Sequence, residues 1–251
     1  GVEAPIRSLM VTSAGPGEGK TFVATNLAVS FAQEGRRVVL VDLDLRKPQV
    51  HATFGVRREP GFTNLVVERG LALEHCLQAT AIPNLRVITC GSIPPHPAEL
   101  LGSNRASEVM RQIEAGADLV IYDTPPAATV TDAVLVAPQV DGVIQVVGAG
   151  YSRRDLVLRC KTLLERAGAR LLGPVLNRVQ ADELGYYTNY YYYGRYYHED
   201  TARKGGWRRI FGGRPKPDPL GLEAPPARRA NGLAVKPAPV RQESLEDDVR
   251  V

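Results

Sequence analysis

SLMVTSAGPGEGKTFVATNLAVSFAQEGRRVVLVD (residues 8 to 42) runs from an apolar segment through a glycine-rich loop into a helical pattern, then back to an apolar segment. Short apolar runs separated by a helix of this length describe a strand, a crossover helix and a parallel strand. The pattern predicts strands over 8–13 and 37–42 and a helix over 20–34 closed by Gly35. Continuing outward, further strands are predicted over 85–89, 118–123, 141–147 and 171–177, with helices over 98–114 closed by Gly116 and 153–167 closed by Gly168. Each closing glycine is placed where a left-handed C-terminal cap is wanted. Four of the six strands are rich in Val and Ile with apolar residues side by side, the mark of burial on both faces. The fold class is α/β, a mostly parallel sheet with helices on both faces.

The loop itself, SAGPGEGKT (13 to 21), has the composition of a phosphate cradle. Backbone N–H groups and a helix N-terminus bind the anion, glycines permit close approach, and a lysine reaches the terminal phosphates. Gly15, Gly17 and Gly19 supply the freedom, Lys20 the charge, and Thr21 a hydroxyl suited to magnesium. Together with Pro16, Glu18 and Phe22 they form the run expected to contact nucleotide. The loop departs from G-x-x-x-x-G-K-[ST] in having Ala14 first, and Pro16 removes one donor.

Carboxylates follow at two strand ends. Asp42 and Asp44 lie two apart in VDLDLRKP, a spacing that aims both side chains the same way beyond the sheet's C-terminal edge, where open α/β sheets bind ligands. Asp123 ends DLVIYD and precedes TPP. Magnesium prefers oxygen ligands, and a phenol with a pKa near 10 needs a base as it attacks. Three carboxylates allow two to serve the metal and one to serve as base.

Composition narrows the field. The 251 residues contain 44% hydrophobic residues, enough for one sizeable domain, and no apolar run is long enough to span a bilayer. With no signal peptide pattern, the chain reads as cytoplasmic. Its first residue is Gly rather than Met, which reads as a processed, fused or truncated start. Cys76, Cys90 and Cys160 are too scattered for a disulfide framework or a zinc site, and are expected as reduced thiols. Residues 202 to 251 carry eleven Lys/Arg against six Asp/Glu, net +5, whereas residues 1 to 201 are net −1. The basic isoelectric point therefore belongs to the tail, and nucleic acid is not an expected partner of the core. The domain reading is 1–185 for the nucleotide-binding domain, 186–197 for a tyrosine cluster, and 198–251 for a disordered Pro-rich basic tail. Within that tail Trp207, Ile210 and Phe211 flank basic residues, but at this length they are read as solvated rather than membrane-bound.

SAGPGEGKT, VVLVDLDLRKP and LVIYDTPP resemble the Walker A, A′ and B motifs of the bacterial tyrosine kinases (BY-kinases), P-loop NTPases that control capsule and exopolysaccharide assembly. The resemblance continues through FGVRREPGFTNLV (54 to 66), GSIPPHPAELLGS (91 to 103), TDAVLVAPQVDGVIQVV (131 to 147) and GPVLNRV (173 to 179). It implies that Lys20 and Thr21 bind the phosphates of ATP and Mg2+, that Asp42 is the base toward tyrosine, that Asp44 and Asp123 support the metal, and that Asn177 lies near the adenine. It further implies a membrane modulator of polysaccharide chain-length type as activator, self-association into a homo-oligomer, a tyrosine phosphatase, and recruitment to the inner face of the cell membrane. Members usually carry an E-x-x-R helical segment ahead of the first strand, and the sequence begins downstream of it. A second reading is a nucleotide-switch ATPase like ParA and MinD, which gate assembly without kinase activity. Those proteins carry a lysine early in the loop, where this chain has Gly15.

Eight of the ten tyrosines fall in YYTNYYYYGRYY: Tyr186, Tyr187, Tyr190, Tyr191, Tyr192, Tyr193, Tyr196 and Tyr197. Beside a phosphoryl donor site they read as phosphoacceptors. The stretch contains no acid, so each added phosphate, about −1.5 to −2 in charge, makes it strongly anionic. A linker of about ten residues spans at most roughly 35 Å, which permits transfer within or between copies, and the resemblance favours transfer between copies. Mixing a Lys20→Met chain with one whose eight tail tyrosines are Phe tests this: phosphate is expected on the Lys20→Met partner, read by phosphotyrosine mass spectrometry.

Overall fold

The structure, a computed structural model, describes residues 5 to 180. The tyrosine cluster and the basic tail lie outside the described residues.

In chain order the elements are β1 (Ser8–Ser13), α1 (Lys20–Gln33), β2 (Val38–Asp42), α2 (Val50–Phe54), α3 (Phe62–Val67), α4 (Leu73–Cys76), β3 (Gln78–Ala79), β4 (Leu85–Ile88), α5 (Pro97–Leu101), α6 (Asn104–Ala115), β5 (Leu119–Asp123), α7 (Asp132–Val136), β6 (Gly142–Gly148), α8 (Arg154–Arg166) and β7 (Leu171–Asn177). They form one seven-stranded sheet in the order β3-β4-β2-β5-β1-β6-β7, parallel except where β3 meets β4. All six predicted strands are present. β3 was not predicted, because two residues carry no period.

Successive strand residues point to opposite faces, and the sheet separates two apolar clusters accordingly. Met10, Val39, Val41, Val120 and Tyr122 face the side packed by α5 to α8. Leu9, Val11, Leu40, Leu119 and Ile121 face α1, which presents Ala24, Ala28 and Ala32 to them. β1, β2 and β5 are buried along their whole length. β4 exposes Arg86, and β6 leaves Ile144 and Val147 half-buried, because these strands lie nearer the sheet's margins. The outermost parallel strand, β7, buries none of its residues fully, and it admits Pro174 because an edge position needs no ladder donor on its open side.

Two expectations are corrected. The helix predicted over 98–114 is two helices, separated at Gly102 and Ser103: Ser103 is extended, and its hydroxyl accepts the Ala106 N–H at 3.1 Å as the N-cap of α6. The apolar period continued across the break and hid it. Gly35 and Gly168 do adopt the left-handed conformation, with φ 91° and 81°, but Gly116 has φ −91° and closes α6 in the right-handed region. α2, α3, α4 and α7 went unpredicted, being only four to six residues long.

Because the Ser103 cap alone starts α6, Ser103→Ala is expected to lower stability by about 1 kcal/mol and Ser103→Asp to retain most of it, measured by the urea unfolding midpoint.

Candidate active site

The strand order places the C-terminal ends of β1, β5 and β2 side by side, and the loops leaving them build one cleft of about 440 Å³. Its lining includes Gly17, Gly19, Lys20, Thr21, Asp44, Arg46, Pro125 and Pro126. The phosphate loop fills the turn from β1 to α1. Gly17 and Gly19 take φ 75° and 92°, so both need glycine. A Cβ at Gly19 would also strike the amide of Asn177, and one at Gly17 the hydroxyl of Tyr151. Lys20 and Thr21 open α1, where N–H groups have no partner within the helix. Phe22, next on that turn, exposes its ring.

The predicted acids converge, at different depths. Asp42 and Asp123 are register partners at the ends of β2 and β5, and both are fully buried. One oxygen of Asp42 accepts the Gln49 and Val50 N–H groups, each at 3.0 Å, and the other accepts the Asp44 N–H at 3.2 Å. Asp44 lines the cleft. It receives the Lys20 ammonium at 2.7 Å on one oxygen and the Lys47 N–H at 3.0 Å on the other. Asp123 differs from both, since neither of its buried oxygens makes a geometrically well-formed hydrogen bond, the Thr21 hydroxyl acting on it only weakly.

This crowding sets the acidities. Burial, then the neighbouring Asp123 charge, lift the Asp42 carboxyl well above the usual carboxylate range, although the Val50 and Gln49 N–H groups oppose the rise. Asp123 is lifted too, chiefly by burial, against the pull of the Lys20 ammonium and the Thr21 hydroxyl. For Lys20 burial works downward, but the carboxylates of Asp123, Asp44 and Asp42 outweigh it and its pKa is raised. The lysine is therefore a firm cation. The three cysteines are buried, and burial pushes their thiols up to about 11 for Cys76 and about 12 for Cys90 and Cys160.

Several supporting residues carried no signal that sequence reasoning used. Arg46 forms a two-pronged ion pair with buried Asp132 at the start of α7, both N···O distances 2.9 Å, and so ties the segment after β2 to the segment after β5. Glu18, expected among the residues that contact nucleotide, instead turns its side chain under the loop, where it accepts the Ala14 and Gly15 N–H groups. Ser152 and Tyr151, from the turn after β6, contact Glu18 and Pro16. Asn177 is on the loop as well, donating to the Glu18 carbonyl at 2.9 Å.

The residues fit a magnesium ion. A buried carboxylate whose two oxygens lack a well-formed hydrogen bond, beside a threonine hydroxyl and a cleft for phosphates, is the donor set that an octahedral ion completed by water and substrate oxygens needs. Among the described residues no three His, Cys, Asp or Glu side chains could hold a metal by themselves.

The AAA domain family matches residues 7–152. The tyrosine-protein kinase YwqD of Bacillus subtilis (strain 168) is 39% identical over 193 residues, which cover 77% of this chain and 80% of YwqD. The chain belongs to the bacterial tyrosine-protein kinases. Its fold is likewise similar to the kinase domain of the Escherichia coli tyrosine kinase ETK, with TM-score 0.66, 33% identity and 72% of each chain covered. The cell division ATPase MinD of Pyrococcus furiosus is less similar, with TM-score 0.57, 25% identity, and 68% of this chain and 72% of MinD covered. The kinase therefore shares its sheet with the MinD ATPase but more of its sequence with the tyrosine kinases. Among the described residues no helix is long and apolar enough to cross a membrane.

The buried Asp123 charge gives a pH signature. Its pKa is raised on folding, so the charged form costs stability above the folded pKa, and that cost fades as pH falls toward the unfolded value near 4. Without Mg2+ or nucleotide, Asp123→Asn is expected to be more stable than the parent at pH 8 by on the order of 2 kcal/mol, with the gain shrinking toward pH 5. Thermal unfolding across that pH range measures it.

Proposed function

We propose that this kinase transfers the γ-phosphoryl group of ATP to tyrosines 186 to 197 of a neighbouring copy, and that this charge change regulates capsule or exopolysaccharide synthesis and export. The observation that carries the proposal is the meeting of Asp42, Asp44 and Asp123, from the ends of β2 and β5, around Lys20 of the phosphate loop, in a chain whose family phosphorylates tyrosine.

In this reading the loop N–H groups and Lys20 receive the β- and γ-phosphates, and Lys20 exchanges its Asp44 partner for them. Asp42 is the base. A carboxylate made more basic by burial accepts a phenolic proton more readily than an exposed one, whose pKa lies far below the phenol's. As the phenolic oxygen bonds to the γ-phosphorus, the bond to the β,γ-bridging oxygen breaks, the proton passes to Asp42, and ADP leaves. Asp123 and Thr21, with Asp44 once freed of Lys20, would hold Mg2+, which when bound neutralises phosphate charge. Asp42 lies beneath the first turn of α2, so access for a tyrosine depends on the segment around Gln49 and Val50. Asn177 lies against Gly19, and the family resemblance assigns it to the nucleotide's adenine end. Its expected partners are a membrane modulator that activates it, further copies of the same chain, and a phosphatase that resets the tail; recruitment to the inner face of the cell membrane follows from the first.

Incubation with Mg-ATP followed by phosphotyrosine mass spectrometry tests the reading, with and without a candidate modulator. Label is expected within 186 to 197. ATP turnover with no label there would favour the switch ATPase. Lys20→Met and Asp42→Asn are each expected to lower the labelling rate by about 10²-fold or more. The parent rate is expected to fall as pH drops below neutrality and Asp42 is protonated, and Asp42→Asn to lose that acid limb.

A further inference from the structure

The phosphate loop is held from beneath by the chain's own anion. Glu18 lies within GPGEGKT, yet it is nearly fully buried. One carboxylate oxygen accepts the Ala14 N–H at 2.8 Å and the Gly15 N–H at 3.1 Å. The other accepts the hydroxyl of Ser152, which in turn accepts the Gly148 N–H at 2.7 Å. The Glu18 carbonyl receives the Asn177 amide at 2.9 Å. Tyr151, beside Ser152, donates its hydroxyl to the Pro16 carbonyl at 3.3 Å, and the Arg178 guanidinium covers its ring at 4.5 Å. Glu18 thus ties the β1–α1 loop to the end of β6 and the end of β7, on the opposite side of β1 from the carboxylates on β2 and β5.

Successive backbone N–H groups in a turn bind anions, whatever the anion's source. A glycine-rich loop without an anion has no reason to keep those groups convergent, since glycine is conformationally free. Here a carboxylate takes up the first two N–H groups of the loop, leaving those at the start of α1 for substrate. We infer that Glu18, anchored by Ser152, is a positioning residue for phosphoryl transfer: it pre-forms the phosphate loop before ATP arrives. Its contribution falls on nucleotide binding, because order already present need not be created on association. The inference rests on the ATP reading of the site.

The test is Mg-ADP binding by calorimetry at 20 °C for the parent, E18A, E18Q, S152A and the double variant E18A/S152A, with KM for ATP and kcat measured alongside. Glutamine retains an acceptor for the two N–H groups. The expected result is about tenfold weaker Mg-ADP binding by E18A, partial recovery in E18Q, about threefold loss in S152A, and no further loss in the double variant, since Ser152 acts through Glu18. KM should rise more than kcat falls. Parent-like Mg-ADP affinity in E18A would overturn the inference even if its melting temperature drops, because that pattern belongs to a purely structural acid. So would additive losses in the double variant. Should E18A fail to fold, E18Q and S152A decide by the same criterion: parent-like affinity in both overturns it. Failure of the parent itself to bind Mg-ADP would remove the ATP reading, and this inference with it.

Discussion

Asp42 and Asp123 close adjacent strands in register, out of contact with water; the Lys20 ammonium is the main compensation for the charge of Asp123, and the Val50 and Gln49 N–H groups for that of Asp42. Burying two like charges side by side is unfavourable, so the carboxyl pKa values rise, and a cation arriving at the site would relieve the repulsion. The rest of the site follows from this. Lys20 is drawn to Asp44 and kept protonated. Asp42 is held by three backbone N–H groups, and Asp123 is left with no well-formed hydrogen bond. A divalent cation, which these residues fit, would supply positive charge that this arrangement lacks.

The sheet makes that arrangement rigid. β2, β5 and β1 are its three central strands and are buried along their length, so the positions of Asp42, Asp123 and the phosphate loop are fixed by the ladder and by the two apolar clusters on either face. The more variable parts are pinned by single side chains. Arg46 grips Asp132, and Glu18 grips the phosphate loop from the other side. Function is thus divided between a sheet that sets depth and a few ionic or hydrogen-bonded ties that set the loops.

The same sheet serves the MinD ATPase and the tyrosine kinases, so the fold by itself does not choose between a switch and a transferase. The choice depends on sequence likeness to the kinases and on the tyrosine-rich stretch beyond the sheet. Under the proposed tail phosphorylation, an anionic stretch after transfer and a nearly neutral one before it would be physically distinct partners for any surface.

Much of this protein was legible in residue order alone. Strand and helix periods gave the six long strands and the α/β class, because those patterns repeat often enough to be read. Gly17, Gly19, Lys20, Thr21, Asp42, Asp44 and Asp123 stood out because phosphate and magnesium chemistry demands those residue types next to strand ends. What could not be read was anything depending on distant segments meeting. The break at Ser103 was hidden by a continuous apolar period, and the right-handed φ of Gly116 by the usual habit of closing glycines. Spacing placed Asp42 and Asp44 on one side of the chain, and both are buried, but only the packing of α2 over Asp42 set it beneath that helix and left Asp44 lining the cleft. Glu18 meets Ser152 across 134 positions, and Arg46 meets Asp132 across 86. Local pattern records what the backbone does within a few residues; which carboxylate goes without a well-formed hydrogen bond, and what supports the loop, are consequences of strand order.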